Sequence, residues 1–385
     1  MAKKNKVNGF SSFLNNPVDF TSVITVLLLL SIGLVMLLSA SSPTSLQEYD
    51  NSYKYFLRQL VFAVLGLIAM YFISRIDYRI YQKFYKLAWW LSFFSLILVL
   101  VIGTDSHGAK RWIDLGFTTV QPSEFVKFFM IIFYAGILVK NRNDLGKFWK
   151  GLVKHLLFLV PIIGLLILEP HVSTSMVIII TCCVIIIMAG CKFWQFALSG
   201  IVAGGVVGAV ATILYFVNDA FQTRFQYIVT RVITFLDPWQ DVSNTGWQVI
   251  QSLYAIGSGG LFGVGLGDST QKYLYLPEPH NDFIFSVLAE ELGFVGCVFV
   301  FILFAIFIWR GILIAMKAPD MFGSLVAIGI TTLVGIQVII NVAVVTSSMP
   351  ATGMQLPFFS YGGTALFILL CEVGVLLSIS RAGAK

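Results

Sequence analysis

The chain has 385 residues, of which 58% are hydrophobic and only 11% are charged. A soluble domain carries about 25% charged residues, so this composition excludes a soluble enzyme and indicates that lipid is the solvent for most of the chain. The formal net charge of +6 does not favour a nucleic-acid partner, because membrane proteins concentrate Lys and Arg in their cytoplasmic loops.

Ten segments are apolar and long enough to span a bilayer, which takes roughly 20 residues per helix. The sequence therefore predicts an all-α polytopic membrane protein with a single domain over residues 1–385, which begins with a basic tail at 1–18. The predicted spans are about 19–39, 56–74, 86–103, 119–139, 154–169, 172–189, 195–217, 283–309, 321–346 and 362–380.

The distribution of Lys and Arg orients these spans. With the N-terminus inside, 17 of the 25 Lys and Arg residues fall in inner segments and 7 in outer segments, while Lys127 lies within a span. Because basic loops are retained in the cytoplasm, we predict that both termini are cytoplasmic.

This orientation places one long loop, residues 218–282, on the outer side. A loop of that length is usually functional. Its apolar part from Gly246 to Gly267 is interrupted by Gln248, Gln251 and several glycines. We therefore expect an interfacial or re-entrant segment there and not an eleventh span.

Two adjacent cations, Lys110 and Arg111, lie beside Trp112 in the second outer segment, against the general distribution of charge. They fit an anion site suited to phosphate, and they equally fit ordinary contacts with lipid headgroups beside an interfacial Trp. The residues alone leave both interpretations open.

The next polar group is Gln121-Pro122-Ser123-Glu124, followed by Lys127. Pro122 suits the first turn of a helix. Glu124 and Lys127 are three residues apart, so they share a helix face and can pair. An ion pair near the end of a span is costly unless it faces a polar cavity. The pair therefore either lines such a cavity or fixes the packing of the helices.

Asp282 closes the motif Pro277-Glu278-Pro279-His280-Asn281-Asp282, directly before the eighth span. The two prolines are expected to hold this segment extended and to delay the start of the helix. Asp282 fits a helix N-cap, where the helix terminus stabilises the carboxylate anion. Such an anion also suits a base that activates a hydroxyl group at the membrane surface.

Two further segments carry polar or irregular chain near the outer side. Glu290 and Glu291 lie about two turns into the eighth span, where we expect them to line a polar cleft or to pack against neighbouring helices. The block Pro350–Gly363 is rich in Gly, Pro and aromatic residues. It is expected to form a rigid wall with exposed backbone amides.

These motifs, in this order, resemble the SEDS family of FtsW, RodA and SpoVE. The resemblance covers nearly the whole chain and is closest to the FtsW/SpoVE branch. It departs at Glu169-Pro170-His171, where the family usually has an Asp after the proline, so His171 is given no role. The matching motifs are Gly108–Ile113, Gln121–Glu124 with Lys127, Phe235–Pro238, Gly257–Gly260, Pro277–Phe285 and Pro350–Gly363.

The resemblance implies a glycosyltransferase with ten helices in the bacterial inner membrane, which polymerises lipid II into peptidoglycan strands at a site facing outside. Its implied partners are lipid II, the growing glycan strand, membrane lipid, a class B penicillin-binding transpeptidase and other divisome proteins. It implies that Asp282 is the essential aspartate and that Glu124 and Lys127 form the functional pair.

Lipid II carries its sugar α-linked to undecaprenyl pyrophosphate, whereas the polymer is β-1,4-linked, so this reaction inverts the anomeric carbon. Inverting glycosidases use a carboxylate to activate the nucleophile, and Asp282 is the corresponding candidate base for the acceptor hydroxyl. Lys110 and Arg111 are expected to neutralise the departing pyrophosphate.

The other predicted substrate-binding residues are Lys127, held by Glu124, together with His280 and Asn281. No metal site and no tightly bound cofactor are predicted, although a divalent cation, Mg²⁺ or Mn²⁺, could accompany the pyrophosphate. Two alternatives stay open at this point: a lipid II flippase, and a division scaffold without catalysis.

Overall fold

The protein folds as a bundle of long apolar helices with a small β-sheet at one end. The predicted span 195–217 and the first part of the predicted long loop lie almost entirely outside the described residues, and so does His171. The computed structural model describes residues 16–106, 109–114, 116, 119–169, 172–192, 194–197, 200, 226, 229–230, 233–242, 246–273 and 275–383.

Eight described helical segments are long and apolar enough to cross a membrane. Every predicted span other than 195–217 corresponds to a helix, which confirms the all-helical polytopic class. The α-helices are α1 (Phe20–Tyr49), α2 (Lys54–Ile73), α3 (Arg79–Lys83), α4 (Tyr85–Ile102), α5 (Pro122–Lys140), α6 (Lys154–Leu168, preceded by π-helical Phe148–Val153), α7 (Val172–Met188), α8 (Trp247–Gly259), α9 (Ile284–Lys317), α10 (Met321–Val345) and α11 (Gly363–Gly383), with 3₁₀ turns at Arg142–Asp144 and Pro238–Asp241.

Some elements differ from the expectation in extent or in kind. Helix α1 continues to Tyr49 and α9 to Lys317, beyond the predicted ends at 39 and 309. Hydropathy detects the apolar part of a helix, whereas the hydrogen-bonded ladder continues into polar residues. The segment between α4 and α5 forms an antiparallel sheet of β1 (Thr104–Ser106), β2 (Ala109–Asp114) and β3 (Thr119–Val120), which was not expected.

Three helices form the centre of the bundle. α5, α10 and α11 are the most buried of the long helices, whereas α2 and α4 expose most of their surface. α10 packs on α5, α7 and α9, and α11 packs closely on α2. A Cβ atom at Gly374 of α11 would lie 2.9 Å from the carbonyl oxygen of Met70, so this contact needs the small residue.

Helix α9 is broken at Gly293, where φ is 66° and ψ is −169°. The break lies nine residues into the helix, about 14 Å along its axis. The glycine loop, residues 260–265, follows α8 and docks into this break. The amides of Val264 and Gly265 donate to the carbonyls of Glu290 and Glu291, and the amides of Phe294 and Val295 donate to the carbonyls of Gly260 and Leu261, over 2.9 to 3.2 Å.

The segment from Pro350 to Gly362 also turns back into the bundle. Its Phe358 carbonyl packs directly on Gly33, in the middle of α1. The expected wall of exposed amides is wrong for its second half, where the backbone amides are used inside the protein. The Leu356 amide donates to Ser360 Oγ, and the amides of Phe359 and Ser360 both donate to the Leu356 carbonyl. The Tyr361 amide donates to the His280 carbonyl, and the Gly362 amide donates to Gln59 Oε1.

Gly293→Ala should lower the free energy of unfolding by about 1–3 kcal/mol, the usual cost of a strained backbone conformation. The new Cβ would overlap the amide nitrogen of Gly263 at a φ that only Gly adopts readily. Thermal unfolding in detergent measures the loss. Gly257→Ala is the matched control, since its Cβ would meet no atom within 4 Å; an equal loss in both variants would contradict the docking described above.

Candidate functional site

The Glu124 and Lys127 side chains form a buried ion pair near the start of α5. Lys127 Nζ lies 2.7 Å from Glu124 Oε2, and the two side chains are only 5% and 13% exposed. Pro122 occupies the first turn of α5, as its sequence position predicts. The pairing expected from the spacing of three residues is confirmed.

The pair lines a small cavity of about 30 Å³ between the three central helices and the segment from Pro350 to Gly362. Glu372 of α11, which is 2% exposed, also lines it. The structure therefore shows the pair lining a cavity, and its contact with a substrate stays a prediction. The other polar side chains of the lining are Gln337, Gln355 and Ser360.

The turn that carries Asp282 is bonded to a residue of the cavity lining. The carbonyl of the preceding Asn281 accepts a hydrogen bond of 2.7 Å from Ser360 Oγ, a lining residue. Asn341 Nδ2 of α10 donates to the Asp282 carbonyl over 2.8 Å. A Cβ at Gly353, where φ is 65°, would lie 3.1 Å from Asp282 Oδ2. The backbone of Gly353 therefore closes one side of the Asp282 carboxylate.

The local conformation around Asp282 corrects two expectations. The N-cap position of α9 is occupied by Phe283, whose side chain makes no capping hydrogen bond, so Asp282 lies one residue before the N-cap and not at it. The motif before it is not extended: Glu278 has a φ of 51°, and the Asn281 amide donates to the Glu278 carbonyl over 3.1 Å. Proline does delay the helix, but a left-handed residue between the two prolines converts the segment into a turn.

His280 supports this turn from inside an aromatic cluster. Its ring is 4.7 Å from the ring of Tyr55 and 5.9 Å from that of Tyr361, and the residue is 4% exposed. Burial lowers the pKa of His280, while Glu278 and Glu48 oppose that shift, so the ring is neutral at pH 7. The geometry gives His280 a supporting role, and direct contact with a substrate stays a prediction.

The remaining predicted site residues lie at the same end of the bundle. Asn281 Nδ2 donates to Glu278 Oε2 over 2.5 Å. Arg111 Nε, on β2, donates to the carbonyl of Glu169 over 3.1 Å. Lys110 lies in β2 opposite Asp105, and its side chain falls outside the described residues. The structure thus places Arg111 against the end of α6, and β2 pairs with β3, which leads into α5.

A second buried ion pair holds the long loop on the helices. Lys272 Nζ lies 2.9 Å from Glu291 Oε1 and 2.9 Å from Ser39 Oγ, and the two charged side chains are 4% and 0% exposed. Glu290 accepts hydrogen bonds from Ser269 Oγ and the Thr270 amide. Glu290 and Glu291 therefore pack against neighbouring segments, which is one of the two roles expected for them.

The described residues contain no group of three or more His, Cys, Asp or Glu side chains that could hold a metal ion. Of the acidic groups of the site, Glu124 and Glu372 line the cavity and Asp282 does not. This donor set suits contacts with hydroxyl groups and with the Lys127 ammonium group.

Comparison with known proteins identifies the family of this chain. A family model for FtsW, RodA and SpoVE, described as "Cell cycle protein", matches residues 20–385. The chain is 43% identical over 365 residues to stage V sporulation protein E of Bacillus subtilis (strain 168), across 94% of this chain and 97% of that protein. The chain belongs to the FtsW/RodA/SpoVE family. It is also 39% identical over 367 residues to the probable peptidoglycan glycosyltransferase FtsW of Coxiella burnetii, across 94% and 96%.

Solved structures of the FtsW/RodA/SpoVE family share this fold. One comes from work on the "structural coordination of polymerization and crosslinking by a peptidoglycan synthase complex". It matches this chain with a TM-score of 0.77 and 29% sequence identity, over 95% of this chain and 98% of that chain. The crystal structure of RodA from Thermus thermophilus matches with a TM-score of 0.69 at 27% identity, over 95% and 97%. The resemblance to the SEDS family and its FtsW/SpoVE branch is confirmed.

Sequence reasoning missed several polar residues of this FtsW/RodA/SpoVE site. Gln59 of α2 is 1% exposed and bonds to the carbonyl of Ser360 and to the amide of Gly362. Gln337 and Gln355 line the cavity. Each glutamine interrupts or borders an apolar run, and a polar side chain in such a place is the signal that would have identified it.

Lys272→Met should lower the free energy of unfolding by about 3–5 kcal/mol, because it leaves the Glu291 carboxylate buried without its cation. The double variant Lys272→Met/Glu291→Leu should recover most of the loss, since both charges are then absent. Thermal unfolding of the three proteins in detergent tests this. A double variant no more stable than Lys272→Met would show that the ion pair is not the source of the effect.

Proposed function

We propose that this chain is a peptidoglycan glycosyltransferase that polymerises lipid II into glycan strands, in the bacterial inner membrane and with its site facing outside. The observation that carries the proposal is the hydrogen bond that joins the turn of Asp282 to Ser360, which lines the same cavity as the Glu124–Lys127 pair. Two relatives support the activity by name, since FtsW proteins of the family are called probable peptidoglycan glycosyltransferases.

Asp282 acts as the general base in this proposal. The acceptor sugar hydroxyl gives its proton to the Asp282 carboxylate while its oxygen attacks the anomeric carbon of the donor. The bond from that carbon to the phosphate oxygen breaks, and undecaprenyl pyrophosphate leaves with the electron pair. Attack from the face opposite the leaving group inverts the α-linkage to a β-1,4-linkage. A positioned base contributes about 10²- to 10⁴-fold to such a step.

The cations stabilise the charge that develops on the leaving group. Lys127 is held in place by Glu124 and faces the cavity, so its ammonium group is preorganised for a phosphate or sugar oxygen. Arg111 and Lys110 lie on the strand that leads through β3 to α5. They bind the pyrophosphate from the other side, and Asn281 contacts the sugar beside Asp282.

A divalent cation, Mg²⁺ or Mn²⁺, is assigned to the substrate in this proposal. The separated acidic side chains of the described site offer no three-ligand group, whereas a pyrophosphate carries its own oxygen ligands for a hard cation. The pyrophosphate oxygens of lipid II would hold such an ion, and it would help to neutralise the charge of the leaving group.

The synthase complex that this fold matches coordinates polymerization with crosslinking. By analogy, we infer that a class B penicillin-binding transpeptidase is the partner of this chain. The relatives include both a sporulation protein and FtsW proteins, which supports a role in septal or spore cell-wall synthesis with other divisome proteins.

Asp282→Ala should abolish polymerisation of purified lipid II, a loss of at least about 10²-fold, because the reaction loses its base. The assay measures glycan strand length with and without the transpeptidase partner. Asp268→Ala is the matched control, since Asp268 is an exposed carboxylate of the same long loop, and it should keep the wild-type rate.

The same variant separates the alternatives. A folded Asp282→Ala protein that polymerises at the wild-type rate would remove Asp282 from the mechanism. Translocation of lipid II by the polymerisation-dead variant would favour a flippase, and full support of cell division by that variant would favour a scaffold.

Lys127→Ala should lower the polymerisation rate by about 10²-fold, the usual effect of losing one preorganised charge contact. Lys147→Ala is the matched control: Lys147 also pairs at i,i+3, with Asp144, but its side chain is 62% exposed. Initial rates and thermal stability are measured together. An equal loss of rate in the two variants would point to a general defect in folding and would contradict the assigned role.

A further inference from the structure

Glu169 is a buried carboxyl group that the mechanism above does not use. It follows the last residue of α6 and is 1% exposed. Neither carboxyl oxygen has a hydrogen-bond partner among the described residues. Leaving a buried polar group unsatisfied costs about 1–3 kcal/mol, so an unpartnered carboxyl group at this place indicates a group that completes its hydrogen bonds with a ligand.

Glu169 is connected to both halves of the proposed site. On one side, its carbonyl accepts the hydrogen bond from Arg111 Nε, so the residue adjoins the cationic strand. On the other side, α7 begins three residues later, and Ser173 Oγ donates to the carbonyl of Thr352. Thr352 directly precedes Gly353, whose backbone closes one side of the Asp282 carboxylate.

The protonation state of Glu169 makes it a donor. Burial raises the pKa of Glu169 to about 8, with Arg111 acting in the opposite direction. The other charged residues that β2 places at this end of the bundle are Lys110 and Asp114. Helices α4 and α7 pack on α6 and contribute no charged residue near Glu169. His171 lies outside the described residues. At neutral pH the group is therefore mainly a carboxylic acid, which can donate one hydrogen bond.

We propose that Glu169 is a second substrate-contacting carboxyl group of the transferase site, which donates a hydrogen bond to a phosphate oxygen of the lipid-linked donor. This inference rests on the proposed function. The proton stays on Glu169 throughout, while the proton of the acceptor hydroxyl passes to Asp282 and the pyrophosphate leaves as an anion. Asp282 is thus the ionised carboxyl group that acts as the base, and Glu169 is the neutral carboxyl group that acts as a hydrogen-bond donor.

The test compares the pH dependence of lipid II polymerisation by the purified full-length wild type and Glu169→Gln, with the transpeptidase partner present. A group with a pKa of about 8 is about tenfold more protonated at pH 7 than at pH 9. Glutamine donates at both values, so the ratio of the rate at pH 9 to that at pH 7 should be about tenfold higher in Glu169→Gln than in wild type. Asp144→Asn, at an exposed carboxylate on the inner side in our topology, should keep the wild-type ratio.

A second variant covers the case in which Glu169→Gln does not fold. In Arg111→Gln the cation that opposes the shift is absent, so the alkaline decline in rate should move to higher pH even though the rate itself is lower. An unchanged rate ratio in folded Glu169→Gln, or an unmoved decline in Arg111→Gln, would overturn the proposal. These outcomes are distinct from failure of the proposed function, which would appear as wild type without polymerisation or as Asp282→Ala with the wild-type rate.

Discussion

Backbone groups that enter a bundle surrounded by lipid need hydrogen-bond partners from the protein itself, and the site depends on how two segments meet this requirement. The glycine loop uses the carbonyls and amides released where α9 breaks at Gly293. The segment before α11 uses Ser360, Gln59 and the carbonyl of His280. The turn that carries Asp282 is hydrogen-bonded to this second segment. The position of Asp282 therefore depends on the same need to satisfy buried backbone groups.

The two buried ion pairs described above lie in different surroundings. Lys272 and Glu291 join the long loop to α1 and α9. Lys127 and Glu124 face the cavity and present a fixed cation to whatever enters it. A buried ion pair is weak evidence for stability because both charges lose their water. The Lys127–Glu124 pair is therefore better explained by function than by stability, because a charge that is already oriented needs no reorganisation during a reaction.

Local signals predicted the helices and the Glu124–Lys127 pair, because both depend on spacing within a few residues. Asp282 was identified from its motif, but its surroundings were not. The carboxylate meets Gly353 and its carbonyl meets Asn341, contacts that cross about 60 to 70 residues of chain. The N-cap expectation failed because Phe283 takes that position. Glu169 ends a predicted apolar span and so carried the same signal as the glutamines, but its burial among distant segments could not be read from the sequence.

The exposed tip of the glycine loop connects the site to its surroundings. Leu261 and Phe262 are 64% and 80% exposed, while the backbone of the same loop is bonded into the break of α9, nine residues from the start of the helix that follows Asp282. Apolar side chains on the outside of a membrane-spanning bundle face hydrocarbon. The loop therefore presents apolar side chains outward while its backbone fills the break in α9, so one short segment joins the outer surface of the bundle to the helix that follows Asp282.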